Sequence, residues 1–174
     1  LDELLAVCRE RNIKVVEDAS ESLGTVYTAG AFSGRHAGTV GDIGCVSFNG
    51  NKIMTTGGGG MILTDNEEYA RYARYLTTQA KDDVEKCIHN EVGYNFRLTN
   101  IQAAVGVAQL EKLTEFIRIK KDNFALYKSL IEHIDGLDVA DVPTYADNNY
   151  WMYALKINES VYGKNKEELI AYLK

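Results

Sequence analysis

LDELLAVCRERNIKVVED, residues 1–18, decides the reading of the fold. Leu1, Leu4, Leu5 and Cys8 recur at helical spacing and give one apolar face. Ile13, Val15 and Val16 then predict a short buried strand that ends at Glu17 and Asp18. A helix feeding such a strand is one unit of an α/β layer, with polar chemistry gathered at the strand's end.

Working outward, residues 25–27 are strand-like and precede the small-residue loop AGAFSGRHAGTVGD, and GCVSFN is a third apolar run with β-branched and aromatic members. IMTTGGGG follows Lys52, and its glycines 57–60 permit positive φ and close approach of backbone to a ligand or a neighbouring segment. Residues 61–64 predict another strand. Asp65 or Asn66 can then cap the helix EEYARYARYLTT through a side-chain oxygen. A polar loop over 79–91 leads to VGYNFRLTN, where Thr99 or Asn100 can cap a helix carrying Ile101, Ala104, Val105, Ala108 and Leu110. The helical pattern runs on to about Ile134. Near Gly136 short strands begin, LDVA and YWMYALKI, on either side of Pro143, the only proline. We therefore expect residues 1–115 to belong to one large domain, and 116–174 to hold a connecting helix and the start of a small α+β domain.

Composition narrows the function. The 174 residues are 45% hydrophobic, enough for a packed core. The net charge of -6 comes from 25 acidic and 19 basic residues, without the basic stripe and interleaved aromatics that track polymeric nucleic acid. Cys8, Cys45 and Cys87 have no C-x-x-C spacing, which excludes a disulfide framework and a zinc knuckle and fits a reducing cytoplasm. No apolar run approaches the roughly 20 residues that span a bilayer, so no membrane partner is expected. Beginning at Leu1 inside a helix pattern and stopping at Lys174 inside another, the chain reads as a fragment. His36, His89 and His133 lie far apart without metal-ligand spacing, so no metal is expected. The tyrosines of EEYARYARY read as helix packing rather than a platform for stacked bases.

Three residue types in this chain carry chemistry of interest. Asp18 follows a buried strand, where a carboxylate either caps a turn or faces a cationic ring. Ser47 and Lys52 stand five apart in SFNGNK, so a loop leaving the strand can put the hydroxyl and the amine to work on one ligand. A lysine beside a buried strand and a glycine run can be desolvated and made nucleophilic, although a lysine by itself is a solvated surface group.

The ordered blocks VVEDASESLG, GDIGCVSFNGNK, TTGGGGMILTD and EVGYNFRLTNIQAAVGVAQL resemble the DegT/StrS-type sugar aminotransferases over about residues 1–115. The resemblance implies the fold-type I architecture, a three-layer α/β/α domain around a mostly parallel sheet, and pyridoxal 5′-phosphate (PLP) as cofactor. It makes Lys52 the lysine that forms an imine with PLP and Asp18 the acid that keeps the pyridine nitrogen protonated. Ser47 becomes a phosphate ligand. Asn95 corresponds to an asparagine that reaches the phosphate bound in the neighbouring subunit of a homodimer, and Arg97 lies where substrate or interface contacts are usual. For these two a turn residue and an interface ion pair are the alternatives.

Two positions depart from the family pattern. Glu21 stands where many relatives carry Gln or His beside the cofactor's 3′-oxygen, so facing that anionic oxygen it should be either protonated, and so in contact with PLP, or turned away. Gly58 stands where a glutamate is commoner. The implied reaction takes an amino group from an amino acid, L-glutamate by resemblance, to a nucleotide-linked keto-sugar, with SFNGNK and TTGGGGMI resembling the branch acting on UDP-linked 4-keto-6-deoxy-hexoses for surface glycans. A PLP-fold sugar dehydratase and a non-catalytic binding or regulatory protein on the same scaffold are the rivals.

Overall fold

The computed structural model describes all of residues 1–174. Helix α1 (Asp2–Glu10) leads into strand β1 (Val16–Asp18), as the opening stretch predicts. Leu5 buries, but Val16 and Ile13 stay more than half exposed, so β1 shows one face to solvent rather than forming a buried strand. Strand β2 (Val26–Tyr27) follows, then β3 (Ile43–Ser47) and β4 (Gly60–Leu63).

β1, β3 and β4 form the central sheet in that order. β1 and β3 run parallel, with Val16 opposite Ile43 and Asp18 opposite Cys45. β4 runs antiparallel to β3, with Ser47 opposite Gly60 and Gly44 opposite Leu63. The sheet is thus mixed, where the sequence suggested mostly parallel strands. The link from β3 to β4 contains no helix, and a parallel return needs a crossover of a dozen or more residues, usually helical. The glycine run serves this turn: Gly59 has φ +88°, and a Cβ there would stand 2.7 Å from Leu98 Cδ1. Gly58 meets nothing within 4 Å, so the missing glutamate reflects no steric demand.

Asn66 caps α2 (Glu67–Thr77) by accepting from the backbone N–H groups of Glu68 and Tyr69. Thr99 and Gln102 form a capping box at the start of α3 (Asn100–Leu110). The helical pattern then breaks once before α4 (Leu113–Ile131). Strands β5 (Leu137–Val139), β6 (Ala146–Asp147) and β7 (Leu155–Ile157) precede the short helices α5 (Glu159–Tyr162) and α6 (Lys166–Leu173). β5 pairs with β7, whereas β6 returns to pair antiparallel with β2.

Val46, Phe48 and Met54 make the core cluster, with Leu23 and Leu63 packed against it. Each such side chain contributes about 1.5–3 kcal/mol on burial. An apolar cavity of about 270 Å³ separates this cluster from Leu98, Val107 and Leu110. No helix is long and apolar enough to cross a membrane.

Candidate active site

In parallel sheets ligands bind beyond the carboxyl ends of the strands, and both parallel strands here end on a polar residue. Asp18 is the last residue of β1 and Ser47 the last of β3. The Asp18 carboxylate accepts from the Ser20 N–H at 3.1 Å. Ser20, through its hydroxyl first and its amide second, holds the Asp18 carboxyl below the ordinary range, and the Lys52 ammonium adds a smaller pull. The Ser47 hydroxyl accepts from the Asn49 N–H at 3.3 Å, which starts the turn that brings Lys52 back.

Lys52 ends its reach at Glu21, with Nζ 3.3 Å from Oε1. The lysine side chain is only 13% exposed, while that of Glu21 is 64% exposed. Asp18, Glu21, Ser47 and Lys52 therefore gather at one end of the sheet, and Glu21 acts here as an ion-pair partner of Lys52.

The loop bearing Glu21 is braced from three directions. Gly24 has φ +88°, donates its N–H to His36 Nε2, and leaves room for Ile117 of α4, whose Cδ1 would lie 2.3 Å from any Cβ. Asn149, only 3% exposed, donates from Nδ2 to the carbonyls of Glu21 and Leu23, at 2.8 and 2.9 Å. Beneath it, Glu17 accepts from the backbone N–H groups of Gly38, Val40 and Gly41 and so ties β1 to the loop entering β3. His36 is thus a satisfied structural histidine, and no three or more His, Cys, Asp and Glu side chains gather as a metal-ligand set.

Trp151 completes the cluster. It is 8% exposed, its ring centroid lies 4.4 Å from Lys52 Nζ, and its Nε1 donates to the Asn51 carbonyl at 2.6 Å. Sequence reasoning passed over Glu17, Asn149 and Trp151. The one available signal was the chain's single tryptophan sitting in a strand-like stretch.

Asn95 and Arg97 lie apart from this cluster. With Arg74, Gln79 and Lys81 they line an open polar cavity of about 750 Å³, and no carboxylate is among its lining residues. None of Arg74, Lys81 and Arg97 forms an ion pair within 4 Å. The cavity's rim is unusual in backbone: Gln79 and Ala80 are both left-handed, at φ 74° and 48°, and Ala80 is fully buried. Tyr75 and Tyr72 of α2 brace the same loop by donating to Asp82 and Glu91. These hydroxyls tie α2 to the loop, while the Tyr72 ring itself stays half exposed.

The model of the DegT/DnrJ/EryC1/StrS aminotransferase family matches residues 1–174. The chain belongs to that family. Among curated members, EpsN of Bacillus subtilis (strain 168), a proposed pyridoxal phosphate-dependent aminotransferase, is 42% identical over 163 residues, covering 92% of this chain and 40% of its own length. GDP-perosamine synthase of Caulobacter vibrioides is 35% identical over 162 residues, covering 92% of this chain and 42% of its own. The solved structure of DesI, determined in the presence of its TDP-sugar product, superposes with a TM-score of 0.86 at 27% identity, over 99% of this chain and 42% of that one. The chain thus spans about two fifths of the relatives it matches. Membership makes PLP the cofactor to test against the site, and the residues fit: an ionised carboxylate, a hydroxyl and a shielded amine converge at the carboxyl ends of β1 and β3.

Proposed function

We propose that a protein carrying this chain transfers an amino group from an amino acid, expected to be L-glutamate, to the keto carbon of a nucleotide-linked sugar. The observation that carries this reading is the convergence of Asp18, Ser47 and Lys52 at one end of the sheet. When bound, PLP supplies an electron sink that labilises the proton on the amino acid's α-carbon. Lys52 Nζ would hold the cofactor and, once released from it, would take up and return the proton at the substrate carbon that bears the nitrogen. Asp18, whose carboxyl Ser20 holds below the ordinary range, would sit by the pyridine nitrogen and favour its protonated form. The Ser47 hydroxyl takes a phosphate oxygen. Glu21 receives the Lys52 ammonium whenever the lysine is free, which suits an anion better than contact with the cofactor's phenolate oxygen.

In this reading Asn95 reaches the phosphate bound by the partner of a homodimer, and Arg97 binds substrate. The cavity with Arg74, Lys81 and Arg97 supports an anionic substrate, since three unpaired cations without a carboxylate suit a sugar-linked diphosphate. GDP-perosamine synthase and DesI support nucleotide-linked sugars as the class. A UDP-linked 4-keto-6-deoxy-hexose is the member we propose, with the product used for surface glycans and the enzyme working in the cytoplasm. We also propose that residues 1–115 belong to a three-layer α/β/α domain with further parallel strands, and that 116–174 begin a smaller one. The dehydratase alternative requires a histidine at the lysine position, and Lys52 stands against it.

Borohydride reduction of the protein with PLP, followed by peptide mass spectrometry, should fix the cofactor on Lys52 and nowhere else. Incubation with glutamate and UDP-, GDP- and dTDP-linked 4-keto sugars should release 2-oxoglutarate with at least one of them. Fixation on Lys52 without release from any sugar would favour a binding protein, and absence of fixation would overturn the assignment of the site.

A further inference from the structure

Lys52 does not lie free. Its long stem and ammonium keep only 13% of their exposure, although its ion-pair partner Glu21 is largely open to water and encloses little. The cover comes from the far end of the chain. The Trp151 ring lies with its centroid 4.4 Å from Nζ, inside the range where an indole face attracts an ammonium. The same side chain is fixed at its other edge, because Nε1 donates to the carbonyl of Asn51, the residue that precedes Lys52.

The backbone around the tryptophan is equally committed. Trp151 donates its N–H to Asn149 Oδ1 at 2.9 Å, and Asn149 in turn holds the Glu21 and Leu23 carbonyls. Residues 149–151 therefore touch both the loop that carries Lys52 and the loop that carries Glu21. Behind them α4 supplies aromatic backing: Phe124 packs on Tyr150 at 4.4 Å and on Tyr153 at 5.6 Å between ring centroids. The indole is a rigid wall on a supported segment. A flexible four-carbon stem that would otherwise sample many rotamers is left with one position for its amine.

We propose that Trp151 is a positioning residue for Lys52: its ring face holds the reactive amine in place against Glu21, while its Nε1–H ties the indole to the neighbouring loop carbonyl. The meaning of this contact rests on the reading of Lys52 as the cofactor lysine, but the contact itself exists without cofactor. Trp151→Phe retains a ring face and loses the indole donor. Trp151→Leu loses both.

The test is the acetylation rate of each lysine in the cofactor-free full chain, read by peptide mass spectrometry, with circular dichroism as a check on folding. Trp151→Leu should raise the Lys52 rate about fivefold, and Trp151→Phe should hold it within about twofold, because the aromatic face carries the attraction. Rates at exposed Lys14 and Lys156 should stay unchanged. An unchanged Lys52 rate in Trp151→Leu, or an equal rise in both variants, overturns the proposal. Should Trp151→Leu fail to fold, the reverse experiment decides. Trp151 is the only tryptophan, so Lys52→Met should change the intrinsic emission while Lys156→Met leaves it alone, and identical emission in both overturns the proposal. These readouts involve no cofactor, so they stand or fall separately from borohydride fixation on Lys52.

Discussion

The sheet end at residues 16–52 and the returning segment at 144–151 meet at one site, yet they contribute different things. The first supplies the groups that can do chemistry: a carboxylate held ionised, a hydroxyl and an amine at the ends of two parallel strands. The second supplies no reactive group. It brings a buried amide and an indole that fix where the loops of the first region lie. Reactive groups sit in compact local blocks, whereas the groups that aim them come from about a hundred positions away or more.

That division can be broken from either side. Removing the amine in Lys52→Ala should abolish cofactor fixation and lower amino transfer about a thousandfold or more, measured by 2-oxoglutarate release, with folding intact. Glu17→Ala strands three backbone N–H groups below the site, at Gly38, Val40 and Gly41. It should cost about 3 kcal/mol in urea unfolding, since each unpaired donor carries its own desolvation penalty. Asn149→Ala should cost less, about 2 kcal/mol, because it frees two carbonyls that water can reach more easily. Its sharper effect should be a faster acetylation of Lys52, as Trp151 loses its backbone partner.

The smallest effect is a pH dependence on the sheet itself. Asp42 accepts from the Val15 N–H at 2.9 Å and from Lys14 Nζ at 3.1 Å, and these bonds, the backbone one first, hold its carboxyl below the ordinary range. A depressed carboxylate favours the folded state above the unfolded value of about 3.9, and the contribution is lost as pH falls through the lower folded value. The urea midpoint should therefore fall between pH 6 and pH 3, and Asp42→Asn should flatten that fall by about 1 kcal/mol.

The legibility of the molecule follows the same division. Helix α1 leading into β1, the two-residue windows Asp65–Asn66 and Thr99–Asn100 in which Asn66 and Thr99 prove to be the caps, and the placing of Asp18 at a strand end could be read from spacing, because each depends on neighbours within a few residues. The glycine run was legible as a place of positive φ and close backbone approach but not as part of an antiparallel return, since direction is set by what the connection can span. Ile13 and Val16 were read as buried on apolar character alone, which says nothing of whether a layer covers them. Asn149 gave no sign at all: an asparagine in a polar stretch looks the same whether it faces water or two backbone carbonyls. The cation-lined cavity was partly visible through Asn95 and Arg97, while Arg74 and Lys81 join it from the end of α2 and from beyond the left-handed Gln79 and Ala80.

The bond from Trp151 to Asn51 spans 100 positions in sequence. A ribosome adding about 5–20 residues per second leaves the Lys52 loop waiting roughly 5–20 s before its cover has been made. During synthesis the amine is therefore open to any aldehyde or acyl donor nearby, and a chain halted before residue 151 would present it bare.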